Sequence, residues 1–523
     1  MKKMWHILLV SLVLTLGTTS LSGCQQNIQQ VVSGQVGQTE QEKTEQENEH
    51  LEQEKIEKEN LEQQNEIEKQ EDTEQEDENG EMIEQENKDL SETENQKEQT
   101  NPNSYIVTNE AAIMGMAADI LENMTLEEKI GQLFMVNLEL LDNRQGDYYN
   151  HQKLTKEMKK ALKKYHVGGV IFFARNISTT KQTKTLIEKL QANSKVPLFI
   201  SVDEEGGEVA RIANNDNMRT TKFPTMEEVG EMADKEYAYN MGETIGKEIK
   251  ELGFNLNFAP VADVRTNELN TEIGNRSFGS DERLVSEMVV EVVKGLQSQG
   301  VSATLKHFPG HGDASKDSHE GAVDVENDIN RLRKVELVPF KAGIKAGADL
   351  IMVSHISVSR ITGTTEPASL SSLVMKDMLR TEMGFDGVII TDAMNMKAIT
   401  DYCDVKEVAV NCILAGADIC LMPQDLPVAY EAVLEAVENG ILTEKRINDS
   451  VTRILELKIK RGLILSDTDL IPREEVITEE NKKLEQEDTS NIENKELRKE
   501  SNSNEENEKL EQQNISNTNE DLD

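Results

Sequence analysis

Eight short apolar runs recur through the middle of the chain, at residues 133–136, 169–173, 198–202, 256–261, 301–305, 350–353, 387–390 and 419–422. Longer amphipathic stretches separate them, and that alternation reads as repeated βα units. Residues 281–300 show what lies between two runs: Leu284, Met288, Val292 and Leu296 recur every four residues, as on the buried face of a helix. Eight strands is the number at which such a parallel sheet closes on itself. The expected fold class is therefore α/β, a single (β/α)8 TIM-type barrel.

In a closed parallel barrel the C-terminal strand ends share one rim, where active sites are built. Five runs stop at polar residues: Asp203-Glu204-Glu205 after the third, Asp263 after the fourth, Lys306-His307 after the fifth, His355 after the sixth and Thr391-Asp392 after the seventh. One such residue is ordinary in a loop. Five at equivalent places point to a site.

The barrel cannot occupy the whole of the 523 residues. All Phe and Tyr lie between Tyr105 and Tyr430. Residues 25–103 hold 25 acidic and 6 basic side chains, and residues 478–523 hold 15 and 6, so the flanks carry most of the net charge of −42. Low hydrophobicity with high charge cannot offset the entropy lost on folding, so both Glu/Gln/Asn-rich flanks are expected to be disordered. Leu51, Ile56, Leu61 and Ile67 are spaced by five, five and six residues, which misses a heptad seam. The folded part is placed at 104–477, and a monomer is expected. Net acidity argues against a nucleic-acid partner.

Lys2 and Lys3 precede an apolar run at 7–16, too short to span a bilayer and shaped like a secretory signal. Leu21-Ser22-Gly23-Cys24 follows and resembles a bacterial lipobox, in which the Cys becomes the lipidated first residue. Residues 1–23 then form a signal peptide that carries away Trp5, the only Trp, and 24–103 a tether from the outer face of the bacterial cell membrane. Cys403, Cys412 and Cys420 lack the CxxC spacing of zinc or redox sites. Buried free thiols are expected, with a Cys403–Cys412 disulfide as the alternative.

The densest stretch is Lys306-His307-Phe308-Pro309-Gly310-His311-Gly312-Asp313, followed by Asp317-Ser318-His319. It strongly resembles the β-N-acetylglucosaminidase branch of glycoside hydrolase family 3. Met124-Thr125-Leu126-Glu127-Glu128-Lys129, Val202-Asp203-Glu204-Glu205-Gly206-Gly207 with Arg211, Asn275-Arg276-Ser277-Phe278-Gly279 and Ile390-Thr391-Asp392-Ala393-Met394 match further pieces in the family's order. The middle of the Asp203-Glu204-Glu205 triplet departs from the pattern, where Gln is more usual.

The resemblance implies a retaining exo-glycosidase acting on β-linked N-acetylglucosamine, with no cofactor and no metal. Asp392 matches the nucleophile. A carboxylate there can attack the anomeric carbon, and its plainer alternative is an N-cap for the next helix. His319 matches the acid/base and Asp317 the partner of its imidazole. A neutral His titrates near pH 6.5, and a carboxylate fixes its tautomer. Asp203, Arg211, Arg276, Lys306 and His307 match the sugar contacts, while His311 and Asp313 are assigned to loop shape. Two other classes compete. One is a metal-dependent barrel hydrolase using His307, His311, Asp313, His319, His355 and Asp392; the other is a sugar-binding lipoprotein without catalysis. The substrate is left open between cell-wall peptidoglycan fragments, chitooligosaccharides and glycoconjugates, and the acceptor between water and phosphate.

Overall fold

The computed structural model describes residues 110–315 and 321–465. Its strands are β1 (Phe134–Asn137), β2 (Gly169–Phe172), β3 (Phe199–Val202), β4 (Glu204–Gly206), β5 (Val209–Ala210), β6 (Leu256–Asn257), β7 (Ser302–Phe308), β8 (Leu350–Val353), β9 (Val388–Thr391) and β10 (Cys420–Leu421). All but β4 and β5 form one parallel sheet in the order β10-β1-β2-β3-β6-β7-β8-β9. The remaining gap closes through a parallel bridge between Ile390 and Ile419, with Ile419 N donating to Ile389 O at 3.0 Å. The described residues thus form a (β/α)8 barrel.

Strand period explains how it packs. Met135, Ile171, Phe199, Leu256, Met352, Ile390 and Leu421 turn inward and form one buried cluster. Their neighbours Phe134, Val136, Val170, Phe172, Ile200, Ile351 and Ile389 turn outward and join a larger cluster with the helices. Ile454 and Leu457, from the last helix (Glu444–Lys460), join the inner cluster. Lys458 on that helix is fully buried: its ammonium donates to Gln132 Oε1 (2.8 Å) and Gly168 O (3.0 Å) and lies 4.9 Å from the Phe199 ring centre. Burial lowers its pKa to about 7.

Each expected apolar run contains a strand, with two shifts that matter. Regular strand structure stops at Asn257, yet residues 259–262 stay alongside β7 through Thr304 N to Ala259 O (2.9 Å), Lys306 N to Pro260 O (3.3 Å) and Ala262 N to Lys306 O (2.6 Å). Pro260 has no N–H to offer a ladder. Conversely, β7 runs on to Phe308, so Lys306 and His307 lie within the strand rather than after it. The register slips between Leu305 and Phe308.

The helices start where their caps dictate. Thr125 and Glu128 form a reciprocal capping box at Leu126–Gln132. Asp281 accepts from the N–H groups of Arg283 and Leu284, and the expected helix runs Glu282–Ser298. Cys403, Cys412 and Cys420 are free thiols; Cys412 and Cys420 are buried and Cys403 is half-buried. The alternative Cys403–Cys412 disulfide is not formed.

Candidate active site

A cavity of about 750 Å³ opens at the C-terminal rim. Asp203, Arg211, Arg276, Lys306, His307 and Asp392 all line it. Four barrel strands or the loops after them supply these six residues, so the folding of the barrel itself brings them together. Asp317 and His319 lie outside the described residues.

Asp392 follows β9. Its backbone N–H donates to Val353 O (2.8 Å) and its Oδ1 accepts from Ala393 N (2.7 Å). The next helix, Lys397–Thr400, has Met396 at its N-cap position and no side-chain cap, so Asp392 is not its N-cap. Burial alone would raise the Asp392 pKa, but His307, His355, the Ala393 N–H and Lys306 outweigh it and hold the carboxyl below its usual range. It is an ionised carboxylate at neutral pH, as a nucleophile must be.

His355, behind it, is buried with Nδ1 2.8 Å from Ser369 Oγ and Nε2 3.0 Å from Ala393 O. A carbonyl only accepts, so Nε2 carries the proton and Nδ1 accepts from the hydroxyl. Burial lowers its pKa, which keeps the ring neutral. Its task is to fix the backbone beside Asp392.

Lys306 is nearly inaccessible, and its ammonium meets Asp203 Oδ1 at 2.9 Å and Glu205 Oε1 at 2.6 Å. Arg276 forks onto the same Glu205, with Nε to Oε2 at 2.9 Å and Nη2 to Oε1 at 2.8 Å. Burial raises the Glu205 pKa, yet the two cations overturn that and hold it at about 2. Arg276, expected among the sugar contacts, therefore lines the cavity while its fork is already engaged. His307 Nδ1 lies 2.8 Å from Asp263 Oδ2. Asp263 also accepts the backbone N–H groups of His307 (3.1 Å) and His311 (2.6 Å). Burial raises Asp263, but its His and N–H partners leave it lowered. An ionised Asp263 makes Nδ1 of His307 the donor and leaves Nε2 for another partner.

His311 and Asp313 shape the loop as expected. Asp313 accepts from Thr266 Oγ1 (2.7 Å) and Asn327 Nδ2 (3.0 Å). The His311 ring is buried with Nε2 3.4 Å from Glu272 Oε2. Among the described residues no three His, Cys, Asp or Glu side chains are grouped to hold a metal ion.

Sequence reasoning missed Glu205 and Asp263 as the anchors of the cationic side. It also missed the opposite wall, where the Arg175 guanidinium pairs with Glu139 and sits 4.3 Å from the Phe173 ring centre and 5.4 Å from that of Tyr148. A run of three acids was a legible signal for the first, because three successive side chains cannot all face one ligand. Nothing local signalled the wall.

The arrangement offers one ionised carboxylate facing fixed donors in a recess, which suits a hydroxyl-rich ring attacked at one carbon. Residues 125–457 match the family described as glycosyl hydrolase family 3, N terminal domain. A relative named Beta-hexosaminidase A, from Pseudoalteromonas piscicida, is 35% identical over 335 residues, 59% of this chain. The chain spans only 56% of that relative's length. A Beta-hexosaminidase of Stenotrophomonas maltophilia is 32% identical over 58% of this chain and 96% of its own. A solved structure of a glycoside hydrolase family 3 beta-N-acetylglucosaminidase from Paenibacillus sp. aligns with a TM-score of 0.61 at 37% identity, covering 66% of this chain and 67% of that one.

Proposed function

The chain belongs to glycosyl hydrolase family 3 and is a glycoside hydrolase of the β-N-acetylhexosaminidase type, and from that premise we propose that it removes terminal β-linked N-acetylglucosamine with retention of configuration. The observation that carries this reading is Asp392, an ionised carboxylate sharing one recess with Lys306, Arg211 and His307.

In the first step Asp392 attacks the anomeric carbon as the bond to the leaving oxygen breaks, giving a covalent glycosyl-enzyme. His319, oriented by Asp317, gives its proton to that oxygen. In the second step the same imidazole takes a proton from water, which displaces Asp392 and leaves the β-anomer. Asp203 and Arg211 hold sugar hydroxyls, and Lys306 also keeps charge balance beside the two carboxylates it touches. Export and a lipid on Cys24 would place the enzyme at the outer membrane face, beside cell-wall peptidoglycan fragments.

The test is turnover of p-nitrophenyl β-N-acetylglucosaminide, with proton NMR of the sugar first formed. The β-anomer is expected, and initial release of the α-anomer overturns the mechanism. Added phosphate that diverted product to a sugar phosphate would make phosphate the acceptor in place of water. Competition by muropeptides against chitooligosaccharides ranks the natural substrates.

A further inference from the structure

Asp203, Glu204 and Glu205 point three ways. Asp203 and Glu205 meet Lys306 at the cavity, whereas Glu204 is 3% exposed and turns away from it. Its backbone is clamped by Asn257, with Glu204 N to Oδ1 at 3.0 Å and Nδ2 to Glu204 O at 2.9 Å. Its carboxylate then takes two backbone donors: Ile212 N to Oε2 at 2.7 Å and Ala213 N to Oε1 at 2.8 Å. Arg211 immediately precedes them, and its own N–H donates to Asp203 O at 3.2 Å. Three successive N–H groups are thus held by two adjacent residues, the first by the Asp203 carbonyl and the next two by the Glu204 carboxylate.

The Arg211 side chain has little else to fix it. Its Nη2 stands 3.9 Å from Asp203 Oδ2, and its Nε is buried with no hydrogen-bond partner among the described residues. Its guanidinium lines the cavity. The placement of those donors therefore comes from the backbone turn, and the turn is held by Glu204.

We propose that Glu204 is a positioning residue for sugar binding: by accepting both N–H groups its carboxylate sets Arg211 in the cavity, and protonating it loosens that grip. The proposal rests on the reading of the cavity as the seat of the terminal sugar. An ionised carboxylate offers both N–H groups a full acceptor, whereas an amide sets its NH2 against one of them and a protonated acid leaves one of them a weaker hydroxyl acceptor. Burial pushes the Glu204 carboxyl up to about 7, against the two N–H bonds and Arg211, with Glu248 of the helix Lys235–Leu252 adding to the rise. Above that pH both bonds hold Arg211; as pH falls through it, one weakens and sugar binding weakens with it.

Calorimetric binding of N-acetylglucosamine and hydrogen exchange of residues 210–214, corrected for intrinsic rates, test this across pH 5.5 to 8.5. Glu204→Gln should bind about 3- to 10-fold more weakly than wild type at pH 8.5 and equally at pH 5.5, because both proteins then carry a neutral group. The same substitution in an Arg211→Ala background should cost nothing. In wild type alone, exchange at Ile212 and Ala213 should quicken as pH falls through 7, a readout that survives if the variant fails to fold. Equal cost of Glu204→Gln in both backgrounds, a binding ratio constant with pH, or exchange indifferent to pH each overturns the proposal. Wild type that bound no N-acetylglucosamine at any pH would refute the sugar reading and this proposal together, with the exchange data showing separately whether the turn is anchored.

Discussion

At Glu205 burial and charge pull in opposite directions, and the geometry decides. A carboxylate removed from water resists ionisation, yet the Arg276 fork and the Lys306 ammonium hold it charged, with a pKa of about 2. A group lowered in the folded state contributes stability that is present above its unfolded value, near 4.5, and lost as pH falls towards 2. Calorimetric Tm should therefore drop over that window in wild type. Glu205→Gln should flatten the drop and lower Tm at pH 7, because Arg276 loses its carboxylate partner and Lys306 is left with Asp203 alone. The reaction has its own contrast. Asp392→Ala should abolish turnover of every substrate, whereas His319→Ala should slow poor leaving groups about 10²- to 10⁴-fold and p-nitrophenyl substrates far less. Equal slowing of both in steady-state assays would remove His319 from the role of acid. Asp203, Arg211, Lys306, His307 and Asp392 were legible from strand ends and motif. Glu205 and Asp263 were legible as rim residues but not as anchors, because an anchor is recognised by what it holds, and Arg276 lies 71 residues from Glu205.

The helices Lys235–Leu252 and Glu282–Ser298 pack backbone against backbone, and two glycines permit it. A Cβ on Gly295 would stand 2.3 Å from Tyr239 O, and one on Gly242 2.7 Å from Val292 O. Both obstacles are backbone, which cannot swing aside as a side chain can. Gly295→Ala should cost about 1–3 kcal/mol and lower Tm by several degrees. Gly115, in the helix Glu110–Glu122, has nothing within 4 Å of its Cβ position. Gly115→Ala should instead stabilise by up to about 1 kcal/mol, since alanine has the better helix propensity. Thermal unfolding of the two variants checks the pair. The amphipathic period of residues 281–300 pointed to a helix with one buried face, and the structure bounds it at Glu282–Ser298. It could not show which glycine touches another helix, because close approach is a property of two elements and leaves no mark on the period of either.

For the whole molecule, the charge and the aromatic side chains divide the chain into parts with different work. Removing residues 25–103 and 478–523 should leave kcat and Tm nearly unchanged, because those segments offer no aromatic side chain to a core. On the proposal that a lipid on Cys24 supplies the attachment, Cys24→Ala should release the enzyme from membrane fractions. On the proposal that residues 25–103 are an unstructured tether, their 79 residues would reach roughly 50 Å, so shortening them should change activity on intact wall and spare activity on soluble fragments. A truncated core that unfolded would move the boundary at Asn103. By itself the sequence determined the eight strands, their closure into a barrel and the rim on which polar residues gather, because strand and helix periods are local and an eight-fold βα repeat has one compact solution. Only the tertiary structure decided that Lys306 stands between Asp203 and Glu205, that Arg276 is already engaged, and that Glu204 turns from the cavity to grip a backbone turn. Asp203 and Lys306 are 103 residues apart. Which charge meets which depends on strand register and side-chain direction at the rim, and those exist only once the barrel has closed.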